Sequence, residues 1–136
     1  MSYKKKSFGF PKPKHSKKST LKKKNDILFS KIIRSIGECQ AEGKDGIHCG
    51  GSSQTMHIIT RSNLRLRWDI MNAICGCGGH HIWYTNNPNA FFEFIKVHFP
   101  EKWAYVNKHK KELNKETYEE VFNRLTKMDF VDIKEV

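Results

Sequence analysis

Between residues 26 and 36, apolar side chains recur at Ile27, Leu28, Ile32, Ile33 and Ile36. This is the three- and four-residue spacing of one helical face, with Asn25 or Asp26 as cap and Gly37 as stop. The stretch 39–56 loses the pattern. It is rich in Gly, Ser and polar groups and carries two cysteines, so it predicts a loop held by something other than apolar burial. Short apolar runs at 57–60 and 70–75 predict two strands of one ribbon, joined by the basic turn RSNLRLRWD. A helix is expected from about Gly78 through HHIWYT. Another starts at Asn87-Pro88, with Phe91, Phe92, Ile95 and Phe99 as its apolar face, and a third opens at Pro100 with Trp103 and Val106. A last helix, from Glu116 to Met128, spaces Tyr118, Val121, Phe122 and Leu125. The expected fold class is α+β: a domain over 25–136, with a ribbon-bearing core over about 38–86 and helices over 87–130.

The chain has 136 residues, enough for one domain, so any activity must come from a compact site. Its 25 Lys and Arg against 14 Asp and Glu give a formal net charge of +11, which points to a polyanionic partner, DNA first. The charge is concentrated at the start. Residues 1–24 hold ten lysines (Lys4, Lys5, Lys6, Lys12, Lys14, Lys17, Lys18, Lys22, Lys23, Lys24) and no acid. With so little apolar surface they are expected to form a disordered lysine-rich arm that tethers phosphates without reading sequence. Phe8 and Phe10 within it could stack on bases or pack on the domain. No apolar run approaches the roughly 20 residues of a membrane span, so no membrane partner is expected. The leading lysines are not followed by an apolar stretch, which argues for a cytoplasmic, reducing setting. There, four cysteines read as metal ligands or buried thiols before disulfides.

Cys39, His48, Cys49, His57, Cys75, Cys77, His80 and His81 all fall within 43 residues. A lone member would mean little, but eight together point to metal chemistry. Cys77 and His80 have the Cys-x-x-His spacing of a knuckle at a helix start, and Cys39 with Cys49 could complete a tetrahedral structural zinc site. Nine residues separate Cys39 from Cys49, wider than a usual knuckle, so Cys75 is an alternative ligand. It lies two residues from Cys77, on the same side of a strand.

The words His57-Ile-Ile-Thr-Arg61, Leu66-Arg67-Trp68-Asp69, Asn72-Ala-Ile-Cys75-Gly-Cys77-Gly-Gly-His80-His81, then Trp83 and Asn87-Pro88, give the chain a family resemblance. Over about residues 38–100 it resembles the HNH endonucleases with the ββα-metal fold, nearest the phage recombination endonucleases of the NinG or Rap type. The resemblance implies a β-hairpin and helix around one divalent cation, Mg2+ or Mn2+. His57 would be general base, His81 a ligand of that cation (with His57 beside it), and Asn72 the residue that fixes the hairpin loop. It also implies phosphodiester hydrolysis to a 5′-phosphate and a 3′-hydroxyl, in phage DNA nicking, recombination or processing inside a bacterial host. Phage replication or recombination proteins, or a second copy of the chain, would be its protein partners. Arg61, Arg65 and Arg67 crowd one turn beside the site. The forks of Arg61 and Arg67 are expected on phosphates, together with Lys4, Lys5, Lys6, Lys22, Lys23 and Lys24, while Arg65 reads as part of a solvated basic loop. Trp68 reads as core.

The chain also departs from that pattern. Many members carry Asp or His just before the base as a second metal ligand, where this chain has Met56, a poor donor for a hard cation. His80, the Met56 carbonyl, water or the substrate phosphate could take that place, and Glu42 could replace Cys49 at the zinc. The rival reading is a zinc-stabilised DNA- or RNA-binding module without catalysis.

Overall fold

The computed structural model describes residues 17–128. Its elements run α1 (Lys17–Arg34), β1 (Ser53–His57), a 3-10 turn (Ile70–Asn72), β2 (Ala73–Cys77), α2 (Gly78–Asn86), α3 (Pro88–His98), α4 (Pro100–His109) and α5 (Tyr118–Thr126). The class is α+β, as expected. The strands pair antiparallel with Ser53 opposite Cys77 and His57 opposite Ala73.

Two five-residue strands are too short to stand alone, so they serve as the middle layer of a sandwich. The alternation of side chains decides which core each residue joins. On one side Ala73 and Cys75 meet Phe29, Ile32, Ile33 and Ile36 of α1, Trp68, and Val121 and Leu125 of α5. On the other side Met56 and Ile74 meet Ala41, Ile58, Leu66, Tyr84 of α2, Phe91, Phe94 and Ile95 of α3 and Val106 of α4. Gly76 lies against Met56, and a Cβ there would collide with the methionine sulfur.

The expected helix starts at Pro88 and Pro100 hold because their N-termini are chemically marked, and the last helix begins at Tyr118, two residues after the expected Glu116. Pro88 and Pro100 occupy the first positions of α3 and α4, where a missing N–H costs nothing. Thr117 caps α5 by accepting from the Glu120 N–H, while the Glu120 carboxylate accepts from the Thr117 N–H. Two expectations need correction. The first concerns the arm: residues 17–24 are helical, so α1 begins at Lys17 and neither Asn25 nor Asp26 is its cap. Both side chains have tertiary partners instead. Asn25 is fully buried and donates to the Tyr118 carbonyl at 3.0 Å, and Asp26 binds residues of the hairpin turn. The remainder of the expected arm, including Lys4, Lys5, Lys6, Phe8 and Phe10, lies outside the described residues.

The second correction is to the strands, which lie at 53–57 and 73–77 and not at 57–60 and 70–75. Beyond Ile58, whose N–H still donates to the Asn72 carbonyl at 2.8 Å, a side chain replaces the ladder. Asn72 accepts from the Ile59 N–H at 2.8 Å and donates to the carbonyls of Ile59 and Leu66 at 2.9 and 3.0 Å. Asp69 meanwhile accepts from the Met71 N–H at 3.0 Å and turns 70–72 into a 3-10 helix. Among the described residues no helix is long and apolar enough to cross a membrane.

Lys102 of α4 donates to the Ile70 carbonyl at 3.0 Å and is only 6% exposed. Burial outweighs the attraction of Asp69 and lowers its pKa to about 8. The folded chain therefore releases this proton near pH 8, while an unfolded chain keeps it up to the ordinary value of 10.5. Between those limits the unfolded state binds more protons, so stability rises with pH. In urea titrations at pH 7.5 and pH 10, the wild type is expected to gain stability relative to Lys102→Met across this interval. Parallel pH dependence in the two proteins would show that the buried ammonium carries no such penalty.

Candidate metal centre and histidine cleft

Two histidine sites, which take the consecutive residues His80 and His81 of α2, divide the chemistry. At the β2–α2 junction, Cys77 is both the last strand residue and the N-cap of α2, its sulfur accepting from the His80 N–H at 3.4 Å. The Gly50 N–H donates to the same sulfur at 3.4 Å. The loop before β1 thereby folds back on α2, with Gly79 close against the His48 carbonyl. This brings Cys39 and Cys49 to the same point. The ligand atoms of Cys39, Cys49, Cys77 and His80 all lie within 4.8 Å of one another, close enough to hold a metal ion.

The geometry allows a sharper test. A tetrahedral zinc ion with metal–sulfur and metal–nitrogen bonds of about 2.3 and 2.0 Å sets each sulfur about 3.5 Å from the nitrogen. His80 Nδ1 lies 3.1 Å from the Cys77 sulfur and 3.6 Å from those of Cys39 and Cys49. Opposite Nδ1, Nε2 donates to Asp45 Oδ1 at 3.0 Å. The Asp45 carboxylate also accepts from the Tyr84 hydroxyl at 2.6 Å and the Ile47 N–H at 3.0 Å. Such a carboxylate fixes the ring's tautomer and orientation and makes Nδ1 a better donor.

Burial opposes ionisation of Cys77, but the N–H groups of His80 and Gly50 and the His80 ring outweigh it and lower its pKa. Desolvation and the neighbouring Cys39 and Cys77 raise that of Cys49. A bound cation would favour thiolate at every position. Cys75 is not among the converging residues: it is fully buried in the α1-facing core. Glu42 is likewise absent from the cluster, and His80 is committed to it.

The second site is a cleft of about 720 Å³ between α1, β1 and α2, lined by His57 and His81 together with Asp26, Arg34 and Arg61. His57 donates from Nε2 to the Arg67 carbonyl at 3.0 Å, which leaves Nδ1 as the unprotonated nitrogen. Desolvation, reinforced by Arg61 and Arg67, prevails over the Arg67 carbonyl and Asp26 and lowers its pKa below the ordinary 6.5, so the ring is neutral at pH 7. His81 donates from Nδ1 to Gln54 Oε1, leaving Nε2 as its free donor atom, and burial lowers its pKa too. Asn72, by bonding Ile59 and Leu66, fixes the loop that leaves His57.

The arginines differ from expectation. Arg67 is not a free phosphate clamp. Its Nε and Nη2 donate to the two oxygens of Asp26 at 2.8 and 2.7 Å, and its Nη1 donates to the Arg61 carbonyl at 2.8 Å. Trp68, buried as expected, donates to the same Asp26 at 2.9 Å. Nor is Arg65 in a solvated loop: it bonds Asp69 and Glu112, each at 3.1 Å. Arg61 remains 62% exposed, its nearest carboxylate oxygen 4.0 Å away. Lys22 is half-buried on α1, and Lys23 and Lys24 are exposed there. Sequence reasoning missed Asp45, Gln54 and Asp26 as partners. Only Asp45, beside a glycine in the cysteine-bearing loop, stood near a feature that could have singled it out.

No protein-family model, curated protein or solved structure matches the chain. Fold and site by themselves define an α+β domain built on a two-stranded hairpin, with a three-cysteine, one-histidine cluster compatible with structural zinc.

Purified wild type and Cys75→Ala are each expected to carry one tightly held metal ion per chain by elemental analysis, and Cys49→Ser to lose it. Equal metal content in Cys49→Ser would remove Cys49 from the ligand set.

Proposed function

We propose that the protein is a metal-dependent DNA endonuclease of the HNH kind, stabilised by zinc at Cys39, Cys49, Cys77 and His80. The observation that carries this reading is the pairing of His57 and His81 in one cleft, each with one ring nitrogen fixed by a hydrogen bond and the other left as an acceptor. A merely structural histidine has no need of that arrangement. His57 acts through Nδ1 as general base, taking the proton of the water that attacks the phosphorus. The bond to the 3′ oxygen then breaks and that oxygen takes a proton from solvent water, leaving a 5′-phosphate and a 3′-hydroxyl. Neutral imidazole suits this role near pH 7. Asn72 and the Arg67 carbonyl keep the ring aimed.

His81 Nε2 is the protein atom that would hold Mg2+ or Mn2+, and such an ion, when bound, stabilises charge on the phosphate and the leaving oxygen. The donor set is sparse. Met56 is 2% exposed, its side chain in the core, and Asp26, the one carboxylate among the described residues that line the cleft, is occupied by Arg67 and Trp68. Backbone carbonyls, substrate oxygens and water would complete the shell, as they commonly do for Mg2+. This sparseness is also what favours a second reading, a zinc-stabilised DNA- or RNA-binding module that does not cut.

The readings separate on supercoiled plasmid incubated with Mg2+, Mn2+ or chelator. The wild type is expected to nick or linearise it only with metal, and His57→Ala to cut at least about 100-fold more slowly while binding DNA within a few-fold. Equal turnover by His57→Ala would remove His57 from the mechanism. A metal-loaded wild type that shifts DNA on a gel without cutting would favour the binding module.

A further inference from the structure

The cleft has a basic wall that comes from α1. Arg34, the last residue of that helix, lines the cleft opposite the turn that carries Arg61. Arg34 is exposed, and its Nε donates to the Ser30 carbonyl of its own helix at 3.3 Å. Among the described residues no carboxylate lies within ion-pair distance of it, in contrast to Arg67 and Arg65. Arg61 has only a 4.0 Å contact from Nη1 to the Asp26 that Arg67 already holds, so both arginines keep terminal nitrogens for a ligand. The lining around them is hydroxyls and imidazoles, and the negative charge of Asp26 is met by Arg67. An acid-poor cleft with two open guanidinium forks suits a phosphate-bearing ligand.

The helix extends this surface. Lys23, Asp26, Ser30 and Arg34 follow one another at three- and four-residue intervals, which places them on one stripe of α1. Asp26, Ser30 and Arg34 line the cleft, and Lys23 continues the stripe beyond it as an exposed residue. The eleven steps from Lys23 to Arg34 rise about 16 Å, the length of duplex axis over which one strand of B-DNA places about five phosphates.

We propose that Arg34 and Arg61 grip backbone phosphates of the DNA strand lying in the cleft, and that Lys23 holds the same strand where it runs out along α1. The proposal rests on the DNA-endonuclease reading for its choice of polyanion. It replaces a floppy tether by a rigid guide in residues 17–34, with α1 setting the direction in which the strand approaches His57 and His81.

The test is the salt dependence of binding to a labelled DNA duplex, followed by fluorescence anisotropy with the full-length chain in a His57→Ala background. Arg34→Gln, Arg61→Gln and Lys23→Gln are each expected to lower the slope of log affinity against log salt by about one, the loss of a single phosphate contact. Lys96→Gln, at an exposed lysine of α3 on the other side of the hairpin from α1, is expected to leave the slope unchanged. An unchanged slope for Arg34→Gln overturns the clamp, and so does an equal loss from Lys96→Gln, which would mean a diffuse basic surface. Plasmid cleavage by the wild type is scored separately. Lost slopes without cleavage would keep the clamp and discard the nuclease, whereas cleavage with unchanged slopes would do the reverse.

Discussion

The Asp26 carboxylate joins the three parts on which the histidine cleft depends. It reaches out of α1 to take the Arg67 fork and the Trp68 indole N–H, and so docks the basic helix against the hairpin turn. Burial alone would favour its neutral form, but the bonds from Arg67 and Trp68 outweigh that and keep its pKa below the usual carboxylate range. Arg67, fixed in this way, presents its carbonyl to His57 and binds the carbonyl of Arg61. A single acid on the helix thus decides where the histidine ring points and leaves Arg61, not Arg67, open to a ligand. Without this contact the turn between the strands would have little to orient it.

The other end of the hairpin is organised on a different principle. Residues 38–52 supply little to either apolar cluster beyond Ala41, which is fully buried, with Cys39 and Ile47 packed beside it. Their position comes from sulfur and nitrogen atoms converging at the start of α2 and from Asp45, which ties His80 and Tyr84 to the loop. Because Cys77 and His80 stand at the first turn of the helix that also carries His81, whatever holds the cluster together also sets the pose of that second histidine. The two sites meet at consecutive residues of one helical turn, His80 facing the thiols and His81 the cleft.

Much of this was legible from local signals. The starts of α3, α4 and α5 carry prolines and a Thr-x-x-Glu box, which act within a few residues and need no knowledge of the rest of the chain. The cysteine and histidine spacings likewise marked Cys77 and His80. The misplacements arose where a distant partner overrides a local preference. On the turn side β1 ends before, and β2 begins after, its expected apolar run because Asn72 substitutes its amide for the ladder at Ile59. The lysine-rich segment reads as unable to bury itself, yet residues 17–24 continue a helix whose later turns are anchored in the core by Phe29, Ile32 and Ile33. Arg67 looked like a ligand-binding residue because its acid lies 41 positions earlier in the chain.

The packing of Met56 against Gly76 limits what this scaffold can become. Strand alternation turns position 56 toward the core shared by Ile74 and Tyr84, one residue from a histidine that faces the opposite side. An acidic side chain placed there would be buried among apolar groups next to a glycine that exists to make room for a thioether. On the proposed reading of His81 as a cation ligand, a second protein ligand is therefore out of reach of a single substitution at this site. Any lineage or designer adding one would have to recruit it from the cleft's other walls.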